Sequence, residues 1–270
     1  MNIEKNQRTS DISETSQTAV YNMDFQQIVS ISQGPLSIMN PLSIEKVLYA
    51  GEIAGMAEGK TLIDFGCGNG TVLGLWSQNF GIGGVGIDIR EDACRTASMT
   101  LEELGVADKV SVFFANAAEY EKDDSETYDF AVALGASQIW GGIEETLKAL
   151  SGYLSNGGSI IIGDRYWKKD LVPPEFCRQW SEILTEYEIM QIIRDNGYEL
   201  RSVIRASDDD WDIYESGIWR NCQDWLAAQE DKESDDYKEV LEYLSRIQEE
   251  YIAYGREYIG WAMYIITPAL

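Results

Sequence analysis

The chain has 270 residues, 44% of them apolar, and its 46 acidic against 21 basic side chains leave a net charge of −25. That length and composition suit one large globular domain. The charge repels nucleic-acid phosphates and anionic lipid surfaces, so neither is expected as a partner. The chain contains no histidine, which removes every Ser–His–Asp triad, the commonest general base and the commonest metal ligand.

The first 20 residues are polar, without the apolar core of a secretory signal, and read as a mobile arm ahead of a single domain over 21–270. The absence of any apolar stretch of membrane-spanning length makes cytoplasm the expected compartment. The stretch MNPLSIEKVLYAGEIAGMAEG reads as a helix capped by Ser43 and stopped near Gly59. TLIDFG, from residue 61, is a buried strand, followed by Val72, Leu75 and Trp76 at helical spacing. A second strand over 84–89 leads to Ala93, Ala97, Leu101 and Leu104, a helix stopped by Gly105. Strands follow over 110–116 and 128–136, then a helix marked by Ile143, Leu147, Leu150 and Leu154 and ending at Asn156-Gly157-Gly158. SIIIGD, 159–164, is a fifth strand; Thr185 and Glu188 open another helix at capping-box spacing; 198–206 is a sixth strand. From about 207 to 256 the chain turns acidic and aromatic, with Val240, Leu244, Ile247, Tyr251 and Tyr254 on one helical face, before a last strand, YIGWAMYIITPA. Strands alternating with helices predict a parallel sheet covered on both faces.

In DFGCGNG, residues 64–70, glycines stand at every second position between a strand and a helix. Glycine there permits a tight turn and lets a ligand approach backbone N–H groups. The spacing is not the G-x-G-x-x-G of dinucleotide-binding loops, and Asp64 would repel a pyrophosphate while suiting an ammonium. Asp88 ends the second strand, where a carboxylate accepts both hydroxyls of a ribose. A ligand with a ribose, a positive group and no phosphate is therefore expected, and S-adenosylmethionine fits. Cys67 reads as a small packing residue of the loop. The four cysteines, Cys67, Cys94, Cys177 and Cys222, form no C-x-x-C pair, so neither a metal site nor a disulfide scaffold is expected.

These motifs, DFGCGNG followed by GID at 86–88, resemble the class I S-adenosylmethionine-dependent methyltransferases over residues 40–206 and the last strand. GASQIWGG, GDRYW and REYIGWAMYII resemble an uncharacterised bacterial branch that acts on small molecules. The resemblance implies an α/β, Rossmann-like, seven-stranded, mostly parallel sheet with the last strand antiparallel. The segment at about 207–256 would be a helical, aromatic-rich cap insertion. It implies that Asp64, Gly66 and Gly68 line the methionine portion, with Cys67 in the same cofactor-binding loop, that Asp88 holds the ribose and that Ile89 packs on the adenine. Asn116 and Ala117 would meet the adenine edge, with Asn116 standing where many relatives carry Asp; Leu134 and Gly135 would lie beside the sulfonium.

The acceptor is expected over the ends of the fourth and fifth strands. Asp164 and Tyr166 are the candidate catalytic residues, Asp164 as a base or a cation-binding carboxylate. Gln138, Trp140, Trp167, Tyr214 and Trp219 are candidate acceptor contacts. Because the donor is already activated, methyl transfer needs positioning more than a histidine base. An acidic, aromatic pocket would suit a small-molecule acceptor such as an amine. An aminopropyltransferase-like enzyme and a cofactor-binding regulator without catalysis are the alternatives. A nicotinamide-dependent reductase is disfavoured by the glycine spacing and Asp64.

Overall fold

The computed structural model describes residues 23, 25–120 and 126–269, so the arm expected over 1–20 lies outside the described residues. Two helices, α1 (Phe25–Ser32) and α2 (Ile44–Ala54), precede β1 (Thr61–Phe65), α3 (Thr71–Phe80), β2 (Gly83–Asp88), α4 (Glu91–Glu103) and β3 (Val110–Phe114). Then come β4 (Tyr128–Leu134), α5 (Ile143–Ser151), β5 (Leu154–Trp167), α6 (Pro174–Cys177), β6 (Leu184–Thr185) and α7 (Glu186–Asp195). The chain closes with β7 (Tyr198–Arg205), α8 (Asp208–Ala228), α9 (Asp235–Glu250), a π-helical turn over Tyr251–Gly255, α10 (Arg256–Tyr258) and β8 (Ile259–Pro268).

The strands form one sheet in the order β3-β2-β1-β4-β5-β8-β7, with β8 antiparallel to both neighbours and the other pairs on this path parallel. This is the expected seven-stranded sheet with one addition. β4 ends at Leu134, and past that point the two residues of β6 take its place, pairing with Tyr166 and Trp167. The order reverses between β1 and β4, which places the β1 glycine loop at the topological switch point where such sheets take their ligands.

Element ends differ from the sequence expectation by three residues or more at α2, α5 and β5, each for a local reason. α2 stops at Gly55, in the left-handed conformation at φ 79°, rather than near Gly59. α5 stops at Ser151, and Asn156-Gly157-Gly158 forms an irregularity inside β5 between the Leu154 and Ser159 pairings with β4. β5 also continues past Asp164 to Trp167, because β8 pairs with it from Ile160 through Trp167. The segment Asp164–Trp167 is therefore strand, where side chains alternate between the two faces.

That alternation divides the molecule. Asp64 is in register with Val132 and Val132 with Ile161, while Leu134 pairs with Gly163, so Arg165 and Trp167 share the face of Asp64 and Leu134. Phe65, Ala133 and Ile162 are in register on the other face, and Asp164 and Tyr166 follow them there. The cores agree. Leu62, Val132, Ile161 and Trp167 pack with Val47 and Trp76 below the glycine loop and with Trp211 and Tyr251 of the cap. Ile63, Phe65, Ile162 and Tyr166 pack with Leu147 and Ile189 of α5 and α7.

The cap is pinned by charge and by capping. Ser207 and Asp210 form a capping box that starts α8. Asp210 also pairs with Lys46 of α2, and Arg256 makes a forked contact to Asp212 at 2.9–3.2 Å. The run Asp208–Asp210 is thus the acidic first turn of a helix, where carboxylates oppose the helix dipole.

Close strand packing gives a test. A Cβ on Gly84 of β2 would stand 2.0 Å from the Leu62 carbonyl oxygen of β1, a backbone atom that cannot rotate away. Gly84→Ala should cost about 1–3 kcal/mol, lowering the thermal midpoint by about 2–4 °C per kcal/mol. An unchanged midpoint in scanning calorimetry would show that the β1–β2 spacing is not as described.

Candidate active site

The loop after β1 is tied to the end of β2. The Gly66 and Cys67 N–H groups both donate to the Ile87 carbonyl, at 2.8 and 3.1 Å, and Gly68 N–H donates to Asp88 Oδ2 at 2.9 Å. Gly66, Gly68 and Gly70 have φ of 74°, 56° and 70°, the left-handed region that favours glycine. Gly70 then serves as the N-terminal cap of α3. Cys67 Sγ lies 2.7 Å from where a Gly86 Cβ would be, so the thiol fills the space that Gly86 leaves. Burial pushes that thiol well above its usual pKa, with Asp64 and Asp88 adding to the effect. It is a packing group, as the sequence suggested, and not an activated nucleophile.

A strap between α1 and α2 lies over this loop. Asn69 Nδ2 donates to the Leu36 and Ser37 carbonyls at 2.7 and 3.3 Å, and Met39 Sδ lies 2.9 Å from the Cβ position of Gly68. The same strap meets the cap, where Leu36 Cδ2 lies 2.6 Å from the Cβ position of Gly217 in α8. Met39, Asn40, Asp64, Cys67, Asn69 and Leu134 are among the residues that enclose a small pocket here.

Asp64 is 3% exposed, and its Oδ1 is buried without a hydrogen-bond partner. Burial, reinforced by the charge of Asp88, pushes its carboxyl up to about 8. A carboxylate in that position is stabilised by a ligand cation. Asp88, 6% exposed, accepts from Gly68 N–H and, through Oδ1, from Arg90 N–H at 2.9 Å. An ionised carboxylate has about four acceptor sites, so two backbone bonds leave capacity for a ribose. The Arg90 guanidinium lies 3.5 Å from the same oxygen.

The remaining cofactor candidates stand at the ends of β2, β3 and β4. Ile89 is 49% exposed and offers an apolar surface beside Asp88. Asn116 Oδ1 accepts from Ala118 N–H at 3.1 Å, capping a single 3-10 turn that begins with the buried Ala117. Gly135, at φ 68°, donates its N–H to the Gly163 carbonyl at 2.7 Å, which holds the β4 exit against β5 beside Leu134. The glycine cradle, the unpaired Asp64 oxygen and the spare acceptor capacity of Asp88 fit a ligand with an ammonium and a ribose.

The acceptor candidates fall into two groups. Trp167, Tyr214 and Trp219 lie on the Asp64 face. Asp164, Tyr166 and Trp140 lie on the opposite one. Asp164 accepts from the Ser137 hydroxyl and, at 2.7 Å, from Arg165 N–H, tying the loop after β4 to β5. Tyr166 is 6% exposed within the α5/α7 core. Trp140 meets Phe65 edge to face at 5.3 Å. Gln138 sits on the short 3-10 turn between Ser137 and Trp140. Arg165 carries no motif of its own in the sequence, standing between a more familiar acid and phenol. The alternation of β5 carries the signal, since 165 shares a face with 163 and 161.

The chain is similar over most of its length to known proteins. Residues 62–158 match the family described as "Methyltransferase domain". The chain is 32% identical over 250 residues to the uncharacterised protein YjhP of Escherichia coli, covering 90% of this chain and 99% of that one. A structure of a SAM-dependent methyltransferase from Geobacter sulfurreducens with S-adenosyl-L-homocysteine superposes with a TM-score of 0.83 at 32% identity, over 90% of this chain and 98% of the other. One from Thiobacillus denitrificans with the same ligand gives 0.84 at 32% identity, over 91% and 100%. The family match, together with 32% identity to two S-adenosylmethionine-dependent methyltransferases over nine-tenths of the chain, places the chain in the family of S-adenosylmethionine-dependent methyltransferases.

Proposed function

We propose that the protein methylates a small-molecule acceptor held between the ends of β4 and β5 and the α8–α9 cap. The observation that carries this reading is the Asp64 oxygen, buried without a partner on the same sheet face as Leu134 and the cap aromatics. In this reading Asp64 holds the ammonium of the cofactor, Asp88 accepts from the ribose hydroxyls and Ile89 lies against the adenine. Asn116 and Ala117 border the adenine edge, and the Leu134–Gly135 backbone faces the reacting centre. The bound cofactor supplies a methyl group on a sulfonium, transferred by in-line displacement. The chain supplies alignment, which contributes roughly 7–11 kcal/mol in well-oriented reactions.

A net charge of −25 supports a neutral or cationic small molecule over nucleic acid or an anionic membrane. No helix among the described residues is long and apolar enough to cross a membrane. Asp164 takes a positioning role here: its contacts to Ser137 and Arg165 N–H fix the β4 exit loop relative to β5.

Three tests follow from these roles. Asp88→Ala should weaken S-adenosylhomocysteine binding by roughly 1.5–3 kcal/mol, about tenfold to 150-fold in Kd; unchanged affinity by calorimetry removes the ribose assignment. Asp64, raised to about 8, is largely protonated at pH 7 in the free protein, and a ligand ammonium beside it favours the carboxylate. Binding at pH 7 should therefore release a proton, read as a dependence of binding enthalpy on buffer ionisation enthalpy. Affinity should rise with pH below about 8, and Asp64→Asn should abolish both effects; a wild-type enthalpy independent of buffer contradicts the assignment. Asp164→Asn should leave cofactor affinity unchanged. In a double-mutant cycle with Ser137→Ala it should show a stability coupling of about 1.5–3 kcal/mol. Loss of cofactor binding in Asp164→Asn would instead put Asp164 at the cofactor.

A further inference from the structure

Arg165 projects from β5 on the Asp64 face, two residues beyond the Gly163 that pairs with Leu134. Its guanidinium stands over the Trp180 ring at 4.5 Å and lies 3.9 Å from both Asp164 and Glu182, too long for hydrogen bonds. Facing it from the cap are Glu215 of α8 and Glu250 at the end of α9, whose charges both interact with Arg165. Glu215 is only partly exposed, yet it makes no hydrogen bond and no ion pair among the described residues.

Two indoles bracket Glu215 on one stripe of α8. Trp211 and Trp219 stand four residues before and after it, and both meet the Tyr251 ring, with centroids at 6.4 and 5.9 Å. Tyr251 is the residue next to Glu250. Trp211 is 7% exposed, and the indole N–H groups of both tryptophans are shielded from solvent and donate to nothing. Buried donors without partners each cost about 1–3 kcal/mol, and such groups are rare in native proteins. One patch thus offers a carboxylate, Glu215, without a hydrogen bond or ion pair among the described residues, and two indole donors short of an acceptor.

We propose that Glu215 and Glu250, walled by Trp180, Trp211 and Trp219, form the acceptor subsite for a small amine that also carries a hydrogen-bond-accepting oxygen. The carboxylates take the ammonium, the aromatic faces favour it further, and the indole N–H groups meet the oxygen. Arg246 and Arg165 both act on Glu250, whereas Arg165 is the one cation acting on Glu215 among the described residues, so Glu215 is the carboxylate that a ligand ammonium completes. Burial pushes Glu215 up to about 7, with Glu250 adding and Arg165 opposing, as expected of a carboxylate lacking its counter-ion. The inference rests on the methyltransferase reading of the same face and names the chemistry of its acceptor.

The test uses the full chain with saturating S-adenosylhomocysteine, reading tryptophan fluorescence during titration with ethanolamine at constant ionic strength. Sodium chloride is the control, and ethylammonium is the same cation without the hydroxyl. The proposal expects saturable ethanolamine binding that ethylammonium matches less tightly. Glu215→Gln and Glu250→Gln should each raise the ethanolamine Kd at least tenfold with S-adenosylhomocysteine affinity unchanged. Trp219→Phe, which keeps a ring and removes the N–H, should weaken ethanolamine more than ethylammonium. A response no greater than that to sodium, or Glu variants that titrate like the wild type, overturns the subsite. Failure of S-adenosylhomocysteine itself to bind the wild type would instead count against the cofactor site.

Discussion

One carboxylate sets the terms for the rest of the molecule. Asp64 stands one residue before the end of β1, almost completely buried, with one oxygen unpartnered and Asp88 as a second acid nearby. A carboxylate this dry, with a second acid beside it, is unfavourable in its charged form without a counter-charge of its own. The surrounding structure nevertheless holds them there. Gly66 and Cys67 hang from the Ile87 carbonyl, Gly68 hangs from Asp88, and Asn69 binds the strap that reaches over to α8. Structure that maintains an unfavourable charge arrangement at a topological switch point is organised for a ligand that relieves it.

The same logic extends across the sheet face. β-Strand alternation places Leu134, Gly163 and Arg165 in line from the cofactor cradle toward the cap. The strap couples the two ends mechanically, since Leu36 accepts from Asn69 and packs on Gly217. The cap itself is anchored by Lys46–Asp210 and Arg256–Asp212 rather than by a shared sheet edge. The acidic excess is thus organised. Some carboxylates cap α8 and pin it, while Glu215 and Glu250 face inward.

The parallel sheet and cofactor cradle were legible because they rest on local rules. Alternating strands and amphipathic helices, the glycine spacing and the two strand-end acids are each written within a few residues. The acceptor side was less legible because it depends on pairing between distant segments. The sequence ends the fifth strand at Asp164 and offers that residue as a candidate base, but β8, almost a hundred residues later, carries the ladder on to Trp167. That extension turns Asp164 and Tyr166 to the α5/α7 face and Arg165 to the cofactor face. The spacing of Leu154 fits a helix with Ile143, Leu147 and Leu150, but its pairing with Tyr128 draws it into β5. The role of the strap has no sequence signature beyond Asn69, whose partners lie more than thirty residues upstream.

The central claim is that cofactor and acceptor meet on the Asp64 face of the sheet. A crystal structure of the protein with S-adenosylhomocysteine tests it most directly. The account predicts the ligand ammonium within hydrogen-bonding distance of Asp64, and the sulfur beside Leu134–Gly135 with its open side toward Arg165 and α8. A sulfur opening instead toward Ser137 and Trp140, with Asp64 making no contact to the ligand, would contradict it.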